Sequence, residues 1–218
     1  MPAVWAVVVA GGSGSRFGQP KQFAPLAGHP VLWWAVESCR SVAEGVVLVL
    51  PAGAECDDHG ADLVVTGGPT RSASVRCGLD AVPPSAEVVV VHDAARPLAT
   101  PATFRAVVDA LGDQVAGAVC ALPVADTVKA VEPPLGSGRT SLVVATVDRS
   151  TLVAVQTPQA FTAAVLRRAH HAGDDATDDA GLVEALGATV AVVAGDQRNL
   201  KITTPADLAY AEHLLLAP

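Results

Sequence analysis

The stretch VVVAGGSGSRFGQPKQF, residues 7–23, sends a short apolar run into closely spaced glycines and serines and then offers two cations, Arg16 and Lys21. Glycine lets a backbone turn tightly and approach a ligand, and amides, hydroxyls and cations are the partners a phosphate requires. The stretch therefore has the makings of a nucleotide loop, and the question is which kind. A dinucleotide fingerprint needs G-x-G-x-x-G, but counting from Gly12 the third glycine position falls on Phe17. The acid that would hold a ribose after the second strand is missing as well, since VVLVL runs into Pro51. A Walker loop needs Gly-Lys-Ser/Thr, whereas Lys21 sits between Pro20 and Gln22. What remains is a glycine loop whose amides can surround a base and phosphates, backed by fixed positive charge. The chain has only three lysines, Lys21, Lys129 and Lys201, and two of them lie in Gly- or Asn-containing loops beside predicted strands.

Those cations stand out against an acidic background. The formal net charge of the 218-residue chain is -8, so the molecule as a whole repels polyanions, and neither nucleic acid nor a membrane surface is an expected partner. Any anion it holds needs a local cationic pocket. Cys39, Cys56, Cys77 and Cys120 are scattered without paired spacing, which fits thiols in a reducing cytoplasm rather than a disulfide frame or zinc site. The apolar stretch from Ala3 to Ala10 is far shorter than the roughly 20 residues of a spanning helix, and no basic leader precedes it. A cytoplasmic location is the expectation.

The elements that must carry the loop are legible from periodicity. AVVVA (6–10), GVVLVL (45–50), ADLVVT (61–66) and EVVVVH (87–92) read as buried strands, and PVLWWAVESCR (30–40) and RSASVRCGLDAV (71–82) as helices. Half of the residues are hydrophobic but only 4% aromatic, so the interior must be built from Ala, Val and Leu, which suits parallel strands covered by helices. The alternation predicts an α/β fold, a doubly wound, mainly parallel sheet that binds ligands beyond the carboxyl ends of its strands. One domain over 1–218 is expected, with a β-hairpin arm at about 123–157, where PVADTVKAV and TSLVVATV flank the break EPPLGSG. An isolated two-stranded arm is marginally stable, so a second copy of the chain is its expected cover, making a homodimer. After the arm come LVAVQ, helices near 161–172 and 178–186, the strand TVAVVAG, and a last helix opened by TPAD, with Thr204 and Asp207 as a capping signal.

The loop pattern A-G-G-x-G-x-R followed by P-K resembles that of nucleotidyltransferases coupling a sugar or polyol phosphate to an NTP. Four further stretches join it: GGPTRSASVRCGL (67–79), VHDAARP (91–97), DRSTLVAVQTPQAF (148–161) and GDQRNLKIT (195–203). Together, in this order and across nearly the whole chain, they resemble the 2-C-methyl-D-erythritol 4-phosphate cytidylyltransferase family of non-mevalonate isoprenoid precursor biosynthesis. HDAARP is the most specific element.

The resemblance implies a Rossmann-like nucleotidyltransferase sheet with a dimerisation arm. The implied reaction transfers CMP from CTP to methylerythritol phosphate and releases pyrophosphate, with Mg2+ or another divalent cation as cofactor. It assigns Arg16, Lys21 and Lys201 as catalytic cations for the triphosphate and the transition state. Ala10, Gly11, Gly12, Gly14 and Gly68, with Arg71 and Ser74, match positions that hold the nucleotide, although Ser74 or Ser72 is also a candidate helix cap. Asp93 matches the acid near magnesium and the polyol hydroxyls, and Ala94 and Arg96 line the same pocket. Asp126 and Thr127 match the D-T at the base of the arm, and Arg149 and Thr157 the groups that grip the acceptor phosphate, the arginine coming from the neighbouring subunit. The sequence departs from the family pattern at Gly11, where alanine is frequent, and at Pro69, where an acid is frequent. A-G-G also occurs in the sister ribitol-5-phosphate cytidylyltransferases, so ribitol phosphate stands as an alternative acceptor. A dehydrogenase and a non-catalytic nucleotide-binding protein are the rival classes.

Two further features read as structural. His170 and His171 are adjacent and on a helix point about 100° apart, so they cannot share a metal as an i, i+4 pair would. GDDATDDAG (173–181) lacks calcium-loop spacing and reads as solvated acid near a helix start.

Overall fold

The computed structural model describes residues 2–11, 17–54, 57–132, 140–171 and 175–216. Its strands are β1 (Val4–Val9), β2 (Pro25–Leu26), β3 (His29–Pro30), β4 (Gly45–Leu50), β5 (Leu63–Thr66), β6 (Val88–Asp93), β7 (Gly117–Pro123), β8 (Val128–Val131), β9 (Val143–Val147), β10 (Val153–Thr162) and β11 (Val190–Ala194). Its α-helices are α1 (Val31–Cys39), α2 (Arg71–Ala81), α3 (Pro101–Asp109), α4 (Ala163–His171), α5 (Asp179–Ala185) and α6 (Pro205–Leu216). Seven strands form the central sheet in the order β11-β7-β10-β6-β1-β4-β5. All its pairings are parallel except those of β10, which runs antiparallel to both β6 and β7.

Unbroken apolar runs are needed because both faces of this sheet are covered. Along β4, Val46, Leu48 and Leu50 point to the layer of α1 and α3, while Val47 and Val49 point to the layer of α2, α4 and α5. β6 divides in the same way, Val88 and Val90 against Val89 and Val91. Helix α2 can lie tight on the sheet because residue 78 is glycine: a Cβ there would collide with Val7 Cγ1 and stand 3.0 Å from Val49 Cγ2. The residues that open α2 are thereby held over the carboxyl ends of β1 and β4. A third apolar cluster of Leu26, Val31, Leu98, Ile202 and Ala211 ties α6 to the segment after the glycine loop.

The first four expected strands and the first two expected helices stand within a few residues of their predicted bounds. Helix α3 and strand β7 were not anticipated. Thr100 caps α3 by accepting from Thr103 N at 3.3 Å, with Pro101 in its first turn. GAVCALP in β7 is poor in β-branched residues, which is why it escaped the strand pattern. The arm is shorter than the predicted 123–157. Its antiparallel pair, β8 with β9, spans 128–131 and 143–147, and residues 153–157 belong to β10 of the central sheet. Pro158 conceals that strand in the sequence, but it falls where the β10–β7 register shifts between Val155 and Gln159, a place in the ladder that tolerates a residue without an N–H. The last helix begins as expected, with Asp207 N donating to Thr204 Oγ1 and Asp207 Oδ2 accepting from the amides of Thr203 and Thr204.

Candidate active site

At the carboxyl ends of β1 and β6 lies a cleft of about 420 Å3. Ala10 and Gly11 form one wall, Gly68, Arg71 and Ser74 a second, and Asp93, Ala94 and Lys201 a third, with Lys21 at the rim. Nine of the residues singled out in the sequence thus converge from five separate stretches of chain. Gly12, Gly14 and Arg16 lie outside the described residues.

Each wall has a local cause. Lys21 opens a 3-10 turn after Pro20, and its neighbour Gln22 is buried, donating from Nε2 to the carbonyl of Ala10 at 2.7 Å. That bond ties the turn carrying Lys21 to the end of β1. The glycines are small for a reason: a Cβ on Gly11 would stand 3.2 Å from Ser74 Oγ, and one on Gly68 would stand 2.5 Å from Ala73 Cβ. Helix α2 is capped by Thr70, whose Oγ1 accepts from Ala73 N at 3.1 Å. Ser74 is therefore not the cap. Its hydroxyl donates back to Thr70 O at 2.9 Å, with Gly68 O at 3.3 Å, and its oxygen keeps acceptor capacity on the cleft wall.

Asp93 is the electrostatic centre. Oδ1 accepts from Arg71 Nε at 3.2 Å and Oδ2 from Lys201 Nζ at 2.6 Å. Burial alone would raise its pKa, but the charges of Arg71 and Lys201, the Lys201 hydrogen bond and the nearby charge of Arg96 together hold the carboxyl well below the usual range. It is an anion under all ordinary conditions. Arg71 is likewise fixed as a cation: desolvation opposes its charge, and Asp179 and Asp93 more than restore it. Among the described lining residues, then, three cations share the cleft with one carboxylate, in a molecule that is acidic overall.

Three expectations change in the structure, while the residues at the base of the arm lie where the sequence put them. Arg96 does not line the cleft and does not pair with Asp93; it lies behind the wall, where Nη1 donates to Asn199 O at 2.7 Å. Thr157 is buried, and its Oγ1 accepts from the Asp93 amide at 3.0 Å and lies 3.1 Å from His92 Nδ1. It is a strut beneath Asp93 rather than a group on the cleft surface. Asp126, Thr127 and Arg149 are exposed at the base of the arm, away from the cleft lining, with Arg149 Nη1 donating to Ala125 O. Asp179 is not solvated: it is fully buried, 2.8 Å from Arg71 Nη1 through Oδ2 and 3.0 Å from His170 Nε2 through Oδ1.

Several residues that support the site lie inside the quoted motifs but carried no assigned role. His92 is buried and neutral, its pKa pushed down to about 4 chiefly by desolvation. The Thr157 hydroxyl, having accepted from Asp93 N, has its proton to give to Nδ1, so His92 Nε2 carries the hydrogen and donates to Arg96 O at 3.1 Å. Gln156 and Asn199 stitch the segment carrying Lys201 to β10: Gln156 Nε2 donates to Asp196 O at 3.0 Å and Asn199 Nδ2 to Thr157 O at 2.9 Å. Ile202 N, donating to Ala95 O at 2.8 Å, sets Lys201 over the turn after β6.

A divalent cation can be tested against this donor set. Among the described residues no cluster of three or more His, Cys, Asp or Glu could hold a metal, and Asp93 is the one carboxylate among the cleft-lining residues. A single carboxylate suits Mg2+, which keeps several waters and leans on substrate phosphates, and does not suit a metal caged by protein.

Comparison with known proteins gives the same answer throughout. Residues 4–217 match the family model for 2-C-methyl-D-erythritol 4-phosphate cytidylyltransferase. The enzyme of that name from Streptomyces coelicolor is 46% identical, over 96% of this chain and 84% of its own length. Its namesake from Nocardia farcinica is 44% identical, over 98% of this chain and 94% of its own. Among solved structures, the enzyme from Thermus thermophilus superposes with a TM-score of 0.79 at 37% identity, covering 99% of both chains. The 4-diphosphocytidyl-2C-methyl-D-erythritol synthase from Anaerococcus prevotii superposes at 0.81 with 27% identity, over 98% of this chain and 96% of that one. With the fold, the cleft and nearly the full length in agreement, this chain belongs to the 2-C-methyl-D-erythritol 4-phosphate cytidylyltransferase family.

Proposed function

We propose that the cleft between Lys21, Arg71, Asp93 and Lys201 is where the family's reaction takes place in this chain. As a family member the protein is a cytidylyltransferase: it transfers CMP from CTP to 2-C-methyl-D-erythritol 4-phosphate and releases pyrophosphate, in isoprenoid biosynthesis. The dehydrogenase, the passive nucleotide binder and the ribitol phosphate enzyme fall away with that membership.

The reaction joins a phosphate monoester oxygen to the α-phosphorus of CTP while the bond from that phosphorus to the pyrophosphate oxygen breaks. No group on the protein needs to be covalently attached; the difficulty is bringing two polyanions together and absorbing charge on the leaving pyrophosphate. Fixed cations meet both demands. Lys21 at the rim takes the triphosphate, joined by Arg16 of the same loop. Lys201 is 42% exposed on Asp93, so it can turn from that carboxylate to incoming phosphate while remaining in the cleft. The backbone of Ala10, Gly11 and Gly68 and the Ser74 hydroxyl receive the cytidine, where glycine leaves room for a small pyrimidine. Asp93 would be the protein ligand for a Mg2+ that came with the triphosphate, and such an ion would supply further charge neutralisation.

The arm makes the working unit a homodimer in this reading. Among the described residues β8 and β9 pair only with each other, outside the central sheet, and Leu142, Val143 and Val144 on the arm are each more than half exposed. Such a ribbon needs cover, and a second copy provides it while delivering Arg149, Asp126 and Thr127 to the neighbouring acceptor site. No helix among the described residues is long and apolar enough to cross a membrane, and the reading places the enzyme in the cytoplasm.

The carrying observation is the gathering of Lys21, Arg71 and Lys201 in one cleft, the last two paired with Asp93, in a chain of net charge -8. The test is pyrophosphate release from CTP and Mg2+ with a panel of polyol phosphates. Turnover is expected with methylerythritol phosphate and is abolished in Lys21→Ala. Undiminished turnover in that variant sinks the site, and full turnover by a chain that sediments as a monomer sinks the shared arm.

A further inference from the structure

Arg71 lines the cleft, yet its guanidinium is spanned between two carboxylates. Nε meets Asp93 at 3.2 Å and Nη1 meets Asp179 at 2.8 Å. The guanidinium is one rigid plane, so a second anchor on Nη1 fixes the direction in which Nε points. Asp93 is held by one cation on each oxygen, Arg71 on Oδ1 and Lys201 on Oδ2. When Lys201 turns to phosphate, Arg71 is the cation that still fixes Asp93, and its own aim depends on Asp179.

Asp179 is built for that task. It is the first residue of α5, completely buried, and separated from the cleft by Arg71 itself. Its second oxygen faces His170 Nε2 at 3.0 Å; a carboxylate only accepts, so Nε2 carries the hydrogen. Its neighbour Asp178 caps α5 through Gly181 N at 3.0 Å and takes Gln159 Nε2 of β10 at 3.2 Å, which anchors the helix start to the sheet. The segment before it is bound along the first turn of α2. Thr70 Oγ1 donates to Asp175 Oδ1 at 2.7 Å, and Ala176 N donates to Ser72 Oγ at 3.2 Å. The bracket thus runs directly behind the residue it orients.

We propose that Asp179 is a positioning residue for the nucleotidyl transfer, with His170 holding it in place: through Arg71 it fixes where the Asp93 carboxylate stands. This rests on the reading of the cleft given above. Asp179 touches no substrate. Arg71, expected from the sequence to hold the nucleotide, is instead committed to Asp93 and Asp179, the cytidine being received by Ala10, Gly11, Gly68 and Ser74. The loss of Asp179 therefore acts through Asp93 and shows in turnover rather than in nucleotide affinity.

The experiment is a double-mutant cycle on the full-length enzyme with steady-state kinetics. Asp179→Asn keeps the shape and removes the charge; kcat is expected to fall at least tenfold, in line with the cost of misplacing a reacting group by about 1 Å, while KM for CTP stays within about threefold. In an Asp93→Asn background the same change is expected to cost less than threefold, since there is no carboxylate left to aim. His170→Ala lowers kcat in the same direction, and His170→Gln, which restores an N–H donor, recovers most of it. Thermal unfolding of every variant gives the folded fraction by which kcat is scaled. A scaled kcat within twofold of the parent in Asp179→Asn, or an equal loss in both backgrounds, overturns the proposal. If Asp93→Asn alone leaves turnover intact, it is the cleft assignment that has failed, and the cycle tells the two apart.

Discussion

Thr157→Val is the substitution that most directly separates a strut from a phosphate ligand. Valine keeps the β-branched shape that strand β10 accommodates and removes only the hydroxyl. Two buried groups lose their partner: the Asp93 amide, now 3.0 Å from Oγ1, and His92 Nδ1 at 3.1 Å. His92 cannot escape by moving its proton to Nδ1, because Nε2 would then present a lone pair to the carbonyl of Arg96 at 3.1 Å. An orphaned buried polar group costs about 1–3 kcal/mol, and the added methyl returns about 0.8 kcal/mol, so the net loss is about 3 kcal/mol. For a chain of this length each kcal/mol shifts the unfolding midpoint by about 2–4 °C, which gives a fall of about 6–12 °C. Differential scanning calorimetry of parent and variant at neutral pH reads it, with Thr157→Ser expected to recover most of the loss. A Thr157→Val midpoint within 2 °C of the parent, accompanied by a raised KM for the acceptor, would refute the strut and restore Thr157 to the substrate.

Two other expectations concern the same scaffold. His92 is buried with a pKa pushed down to about 4 from its ordinary 6.5, so the unfolded chain takes up a proton that the folded chain refuses. Stability is therefore full above pH 6.5 and declines by about 3 kcal/mol as the pH falls to 4; the Asp93 contribution, set by a depressed carboxylate pKa, is lost only below that window. Urea midpoints measured from pH 7.5 to 4.5 should track this decline, and a flat profile would show that His92 is not buried neutral. Gly78→Ala tests how closely α2 approaches the sheet. In an open helix alanine would gain about 1 kcal/mol over glycine, but here the Cβ collides with Val7, and overpacking of this kind costs about 1–3 kcal/mol. The sign reverses, and denaturant unfolding that finds the variant more stable than its parent would show that the helix can lift away freely.

The sequence carried the parts of the fold whose signals are local. β1, β4 and β6 are runs of valine with few alternatives, and α2 announces itself by its helical spacing, although its cap is Thr70 rather than the serine the sequence suggested. Lys21 and Lys201 were legible because lysines are scarce in this chain, and Asp93 because it ends the apolar run of β6 within the HDAARP motif. β7 was hidden by its Ala and Cys content, and the length of β10 by Pro158. The support beneath the site was hidden for a different reason. Arg71 and Asp179 meet only because α2 and α5 are laid on the same face of the sheet, and no pattern within either segment records that. Thr157 looked like a ligand for the same cause: antiparallel pairing of β10 with β6, in which Gln159 faces Val91, carries on to set Thr157 under Asp93. A hydroxyl beside a predicted loop is chemically free in one dimension and already committed in three. The residues that approach substrate are therefore those the chain displays by contrast of charge, whereas those that hold them still are specified by topology, and it is the second set that fixes how accurately Asp93 can be aimed.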